Sequence, residues 1–187
     1  MKKEDPRSWE TLSSEIIVSR PPWLTVRHDS VKLPDGRINP EFYVLEYPDW
    51  VNVIAITEDG KYVMELQYRY GLGDTCTEIC AGVMEKGETP EEAARRELLE
   101  ETGYEGGKWS HLMTISGNAS TTSNVTHCFV AKGVRATGKR HLDSTEDLDV
   151  ILMSEQEVYD LLLSDKVKQS LMAAPLWRWF ATKDKHP

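Results

Sequence analysis

The sequence predicts a mixed α/β domain with a small antiparallel β extension at its N-terminus. The predicted elements run in the order strands, helix, strands, helices, whereas a doubly wound fold needs repeating strand–helix units. Val51–Ile56 is apolar apart from one asparagine, as in a strand buried on both faces. The central helix carries capping residues at both of its ends. We place the extension at residues 1–47 and the main domain at residues 48–187.

Composition excludes several classes of function. The chain has 187 residues, of which 40% are hydrophobic, and its formal net charge is −9. Negative charge argues against a nucleic-acid partner, which requires clustered Lys and Arg, but bound cations still allow a phosphorylated substrate. No apolar run approaches the ~20 residues of a membrane span, so no membrane partner is expected. The charged N-terminus is unlike a secretory signal, and we expect a cytoplasmic protein.

Hydrophobic patterning and turn residues place the strands. Strands are predicted at Glu15–Ser19, Leu24–Lys32, Glu41–Glu46, Val51–Ile56, Tyr62–Tyr68, Glu78–Ala81, Leu112–Ser116, Val125–Ala131 and Leu148–Met153. The pair Asp35-Gly36 marks a turn between the second and third strands. Residues 1–12 are polar, and we expect them to lie outside regular structure.

The central helix has the best-defined ends in the chain. Thr89 and Glu92 form a capping box around Pro90, which suits a first helical position, and Gly103 suits the position just after the end. A second capping box, Ser154 with Glu157, opens a helix that ends at Leu163. The last helix is predicted over Val167–Ala181.

Three glutamates share one face of the central helix. Glu97, Glu100 and Glu101 are three and four residues apart, so their carboxylates lie within about a quarter turn of one another on either side. Like charges at this spacing destabilise a helix by a few tenths of a kcal/mol per pair. The cluster is either a solvated surface, as is common on charged helices, or a site that binds hard divalent cations.

The spacing across Gly82–Tyr104 favours the metal site. It matches the pattern G-x5-E-x7-R-E-U-x-E-E-x-G-U, with U apolar, at every fixed position. Since each fixed residue type has a frequency of roughly 6%, chance is not a serious competitor. The sequence therefore resembles the Nudix hydrolases. Similarity to their ADP-ribose pyrophosphatase branch extends to the segments Pro22-Trp23, Leu33–Gly36, Gln67–Arg69 and Glu78–Gly82.

The resemblance implies a Nudix fold, with a mixed β-sheet sandwiched between helices, and a Mg²⁺-dependent enzyme for which Mn²⁺ can substitute. Such an enzyme splits the pyrophosphate bond of a nucleoside diphosphate sugar into a nucleoside monophosphate and a sugar phosphate. By position, the metal ligands are Glu97, Glu101 and the carbonyl of Ala81. Glu100 is a third ligand or positions the attacking water.

The resemblance also assigns supporting roles. Arg96 and Glu88 are expected to form an ion pair that fixes the loop against the helix and keeps Arg96 away from the metal carboxylates. Gly82 would allow a close approach, and Gly103 would end the helix.

A general base is expected in the acidic segment 143–147, which precedes a predicted strand. Glu146 is the first candidate and Asp147 the second, although the segment is equally typical of a polar turn. For substrate binding we predict Arg69, Glu78 and Trp23. Arg69 would clamp phosphate or pair with a neighbouring strand; Glu78 would reach a metal or a ribose; Trp23 would stack on a base or belong to the core or an interface.

Several alternatives stay open. The loop Ser116–Asn124 lacks the proline typical of the ADP-ribose branch, so another substrate such as a GDP-hexose is possible. A nucleotide-sensing module without activity is less favoured because none of the motif carboxylates is lost. A housecleaning enzyme for nucleoside triphosphates is less favoured because minimal members lack the N-terminal strands. Those strands, by analogy with the branch, predict a homodimer.

Overall fold

The computed structural model describes residues 5–21, 23–142 and 144–185, which form two compact units. The first unit comprises the chain up to Pro48 together with Asn118–Asn124, and the second comprises Asp49–Gly117 and the chain from Val125 onward. Pro22 and Asp143, which the sequence analysis used, lie outside the described residues. Within the described ranges, no helix has both the length and the apolar character needed to cross a membrane.

The first unit contains a three-stranded antiparallel sheet, as predicted. Its strands are β1 (Glu10–Arg20), β2 (Leu24–Lys32) and β3 (Ile38–Leu45), in the order β1-β2-β3. β1 begins earlier than predicted because Glu10 and Thr11 still pair with β2, opposite Lys32 and Val31. These polar residues are therefore in a strand because they pair with β2, and the local sequence does not reveal that pairing.

The second unit contains a seven-stranded mixed sheet. Its strands are β4 (Trp50–Thr57), β5 (Tyr62–Arg69), β6 (Asp74–Glu78), β7 (Cys80–Val83), β8 (Tyr104–Ile115), β9 (Thr126–Ala136) and β10 (Leu148–Met153). The main path is β10-β5-β4-β9-β8, with β6 paired to β5 and β7 paired to β4. Only the β4–β9 pair among these described strands is parallel.

The largest differences from the predicted strands are in β6 and β8, while β3, β7 and β9 are shifted or extended by a few residues. β6 lies in a glycine-flanked segment predicted to be loop, and it forms because it extends the hairpin with β5. β8 begins at Tyr104 rather than Leu112. Gly106 and Gly107 have φ values of +79° and +75°, so this part of β8 lacks the alternating pattern by which a strand is recognised.

The sheet lies between helices, which confirms the predicted fold class. The helices are α1 (Pro90–Glu97), α2 (Glu155–Leu163) and α3 (Ser170–Thr182). Ala93, Ala94 and Leu98 of the α1 region belong to one buried apolar cluster. Residues of α2 and α3, including Val158, Leu162, Leu176 and Trp179, belong to a second one.

α3 starts at Ser170 rather than at Val167, and it contains Pro175. Because proline has no N–H, the Leu171 carbonyl four residues earlier lacks its usual helical donor. The fully buried side chain of Asn52 in β4 donates to that carbonyl at 2.7 Å. This bond explains why one polar residue, Asn52, stands in the otherwise apolar run Val51–Ile56.

Candidate active site

Local signals in the sequence fix where the motif helix begins and ends. The Thr89 hydroxyl accepts from the Glu92 N–H at 3.3 Å, and the Glu92 carboxylate accepts from the Thr89 N–H at 2.8 Å. Gly103 follows the last turn with a φ of +72°, a left-handed conformation that glycine adopts without strain. The helix that carries the motif glutamates is thereby held at both ends.

The end of this helix is not α-helical. Leu98–Thr102 forms a π turn, which is a wider turn often found at functional sites. Glu97 and Glu101 are 8% and 6% exposed, whereas the Glu100 side chain is 42% exposed. The three carboxylates therefore differ in setting, with two buried and one at the rim.

Gly82, at the position where a close approach was expected, lies directly against Glu97. A Cβ atom added at Gly82 would fall 2.0 Å from Cδ of Glu97, far inside van der Waals contact. β7 carries Gly82 and pairs with β4, so the sheet holds the loop in this position. Any side chain at residue 82 would displace the Glu97 carboxylate.

Arg96 joins the loop to the glutamates. Its guanidinium donates to both Glu88 oxygens, at 2.8 and 2.9 Å, and to the Val83 carbonyl at 2.9 Å. It also donates to Glu97 at 2.8 Å and to Glu100 at 3.1 Å. The expected separation of Arg96 from the motif carboxylates is therefore absent, because the side chain sits between Glu88 and the motif glutamates.

Glu101 has an unusual electrostatic environment. Its carboxylate accepts a hydrogen bond from the Ala81 N–H at 3.2 Å. Burial, together with the charges of Glu97 and Glu146, raises the pKa of Glu101 to about 7. Burial also raises the pKa of Glu97, and the charges of Glu100 and Glu146 act in the same direction. Negative charge is thus concentrated where a cation would relieve it.

The segment before β10 places Glu146 near these glutamates. Glu146 is half-buried, and its charge raises the pKa of both Glu97 and Glu101. Asp147 is exposed. The first candidate base thus lies within electrostatic range of both buried glutamates.

Arg69 and Glu78 pair with each other. Arg69 Nε lies 3.0 and 3.2 Å from the two Glu78 oxygens, and a second guanidinium nitrogen also bonds to this carboxylate. Glu78 is 1% exposed, so its carboxylate is committed to this inter-strand pair. The Arg69 side chain is 37% exposed and keeps part of its surface open. Trp23 lies in the first unit and is 73% exposed.

A cleft of about 170 Å³ opens beside the motif loop. Its lining includes Arg69, the motif-loop residues Ala81, Gly82 and Val83, and the residues Asn52 and Gln169. Asn52 Oδ1 and Gln169 Oε1 are buried without a hydrogen-bond partner among the described residues. A ligand in this cleft would contact the motif loop and Arg69.

Sequence reasoning missed two residues of the acidic cluster. Glu65 and Cys80 approach Glu101 from β5 and β7, and both are buried. Burial, with the charges of Glu101 and Glu78, raises the pKa of Glu65. The sequence does contain one sign of this role: Glu65 is a charged residue within the apolar run Tyr62–Leu66. A strand that is buried on both faces has no exposed position for a carboxylate.

Comparisons with known proteins agree with this geometry. The NUDIX domain profile matches residues 47–174, and the profile of the nucleoside diphosphate sugar hydrolase N-terminal domain matches residues 9–45. The chain is 36% identical to a methanol dehydrogenase activator of Bacillus methanolicus, over 76% of this chain and 77% of that one. It is 35% identical to an ADP-ribose pyrophosphatase of Bacillus subtilis, over 71% and 76%. The crystal structure of an ADP compounds hydrolase matches with a TM-score of 0.81 over 98% of this chain and 99% of that one; at 21% identity this shows a shared fold.

Proposed function

This chain belongs to the Nudix hydrolase family, and from that premise we propose that it hydrolyses the pyrophosphate bond of a nucleoside diphosphate sugar in a Mg²⁺-dependent reaction. The products are a nucleoside monophosphate and a sugar phosphate. The observation that carries the proposal is the pair of buried carboxylates Glu97, which lies against Gly82, and Glu101, which accepts from the Ala81 N–H. Burial raises the pKa of both.

The residues present suit a divalent metal. Glu97, Glu101, Glu100 and the Ala81 carbonyl offer only oxygen donors, which Mg²⁺ and Mn²⁺ prefer. The raised pKa values of Glu97 and Glu101 mean that uncompensated negative charge is unfavourable there. When bound, the metal would neutralise the diphosphate and make water a better nucleophile.

The protein side chains divide the remaining work. We assign Glu146 as the general base that accepts a proton from the attacking water, because its charge already acts on both buried glutamates. Arg96 is a positioning residue, since it fixes Glu97 and Glu100 relative to Glu88. Arg69, which Glu78 orients at the cleft, supplies donors for a phosphate oxygen.

The substrate class rests on the N-terminal match and on the names of relatives. The nucleoside diphosphate sugar hydrolase N-terminal domain covers residues 9–45, and one relative is an ADP-ribose pyrophosphatase. ADP-ribose is therefore the first substrate to test and a GDP-hexose the second, because Ser116–Asn124 lacks the proline noted above. Stacking of the exposed Trp23 side chain on a base stays a prediction.

The deciding experiment is a phosphate-coupled assay of a nucleotide-sugar panel with Mg²⁺, in which an added phosphatase releases inorganic phosphate from the two phosphomonoester products. We expect Glu101→Gln to lower turnover by more than about 100-fold, since even the neighbours of metal ligands typically contribute 10- to 100-fold. Glu91→Gln is the matched control, because Glu91 lies on the same helix but is exposed. Equal turnover of the wild type and Glu101→Gln would refute the metal assignment, and ligand bound tightly but unchanged after hours would favour a sensor.

We also propose that the first unit forms a homodimer through β1. All eleven residues of β1 are exposed, and Ile16, Ile17 and Val18 are 51%, 47% and 37% exposed. β1 is an edge strand, so its backbone is available to pair with another chain. Solution scattering should give twice the 21.3 kDa of one chain. Ile17→Lys should halve that mass, whereas Ile38→Lys on β3 should leave it unchanged; a wild-type monomer would refute the dimer.

A further inference from the structure

Glu65 is a carboxylic acid inside the sheet with an oxygen that lacks a partner. It lies on β5, is 3% exposed, and follows the core residues Val63 and Met64. Among the described residues, Oε1 of Glu65 has no hydrogen-bond partner. Burying a charged carboxylate without hydrogen-bond partners lowers the stability of the folded protein. A bound cation or a proton on the carboxylate would remove this penalty.

Two further donor atoms lie close to the Glu65 carboxylate. A carboxylate oxygen of Glu65, the Sγ of Cys80 and a carboxylate oxygen of Glu101 all lie within 4.8 Å of one another. Cys80 is fully buried, and it follows directly on Ile79 in the core of the sheet. Ligand atoms around a tetrahedral ion lie roughly 3.3–3.8 Å apart, given the usual bond lengths. Small side-chain rotations would therefore bring the three atoms to coordinating distance.

The surrounding charge suits a divalent cation. Glu65 is surrounded by Glu78, Glu101, Arg69 and Arg140. With Cys80 as a thiolate, the four acidic groups exceed the two guanidiniums by two charges.

We propose that Glu65, Cys80 and Glu101 bind a thiophilic divalent cation, of the class of Zn²⁺ and Co²⁺, inside the sheet. The sulfur donor separates this site from one made only of oxygens, because thiolates select borderline and soft metals over Mg²⁺. Glu101 would belong to both this site and the Mg²⁺ site proposed above. Glu65 and Cys80 would belong only to the site inside the sheet. The proposal stands apart from the proposed function, since binding is measured without nucleotide.

The test is a titration of the metal-free, full-length protein with Co²⁺, followed by the absorption band that arises from charge transfer between thiolate and metal. We expect the band in the wild type and its loss in Cys80→Ser. The matched controls are Cys76→Ser and Cys128→Ser, because both thiols are also buried but lie outside the cluster. Glu65→Gln, which is nearly the same size, should weaken Co²⁺ binding at least about tenfold.

Several outcomes would overturn the proposal. A wild type without the band, a band that survives Cys80→Ser, or unchanged affinity in Glu65→Gln would each do so. If Cys80→Ser fails to fold by circular dichroism, X-ray absorption of the Co²⁺-loaded wild type decides. A sulfur neighbour at about 2.3 Å supports the site, and a shell made only of oxygen and nitrogen refutes it.

Discussion

The two ends of the motif helix carry the same type of residue in opposite settings. Glu91 and Glu92 lie exposed in the first turn of α1, where the helix dipole favours negative charge. Glu97 and Glu101 lie buried near the other end, where the dipole and burial both oppose it. The acidic residues of the first turn thus stabilise the helix. The charged forms of those in the last turns lower the stability of the folded protein, as is typical of functional sites.

Among the substitutions considered, Gly82→Ala should disturb the buried glutamates most. The new Cβ would overlap the Glu97 carboxylate, which must then move. Because displacements of about 1 Å at a reacting centre commonly lower rates about 100-fold, we expect at least that loss of turnover. The phosphate-coupled assay measures it.

Gly71→Ala provides the control, because a Cβ at Gly71 meets no atom within 4 Å. We expect wild-type turnover for this variant. Activity in Gly82→Ala equal to that in Gly71→Ala would show that the contact with Glu97 is irrelevant to catalysis.

The free energy of unfolding should depend on pH in opposite directions for Glu101, near the end of the motif helix, and Glu92, in its first turn. The pKa of Glu101 is about 7 in the folded protein, above its ordinary 4.5, so between these pH values the folded state holds a proton that the unfolded state has released. In EDTA, the free energy of unfolding should therefore fall as pH rises through this window, by up to about 3 kcal/mol from Glu101. Urea unfolding at several pH values measures the slope, which should be shallower in Glu101→Gln.

Glu92 should act in the opposite direction. Its hydrogen bonds with Thr89 lower its pKa, so its contribution is present above pH 4.5 and is lost as the pH falls below that value. Glu92→Gln should leave the fall between pH 4.5 and 7 intact. If Glu92→Gln removed that fall while Glu101→Gln preserved it, the comparison between the two ends would be wrong.

The smallest effect concerns the caps. Thr89→Ala removes the side-chain acceptor at the start of α1, and Ser154→Ala does the same at α2. We expect each to lower the free energy of unfolding by about 1 kcal/mol. Thermal unfolding measures both. Destabilisation by only one of the two would mean that the caps are not equivalent.

The sequence allowed the prediction of features that depend on neighbouring residues. Thr89, Glu92 and Gly103 placed the ends of the motif helix because capping and left-handed glycine are local effects. The mixed α/β class followed from the order of the elements, and the sheet between helices followed from the resemblance to the Nudix hydrolases. The spacing from Gly82 to Gly103 was specific enough to identify the family before any three-dimensional contact was known.

Features that depend on tertiary contacts were missed. The early start of β1 needs its partner β2, and the π turn at Leu98–Thr102 has no local signal. Glu65 belongs to the acidic cluster only because β5 passes below Glu101. Arg96 was expected to avoid the motif carboxylates, but the actual geometry lets one guanidinium reach Glu88, Glu97 and Glu100 together.

The bond from Asn52 to the Leu171 carbonyl constrains the order in which residues 52 and 175 can be substituted during evolution. While Pro175 is present, an apolar residue at position 52 leaves that buried carbonyl unsatisfied. Once position 175 regains an N–H, the helix itself can satisfy the carbonyl, and position 52 becomes free to vary. The epistasis therefore runs one way: lineages of this protein should lose the proline before they lose the asparagine.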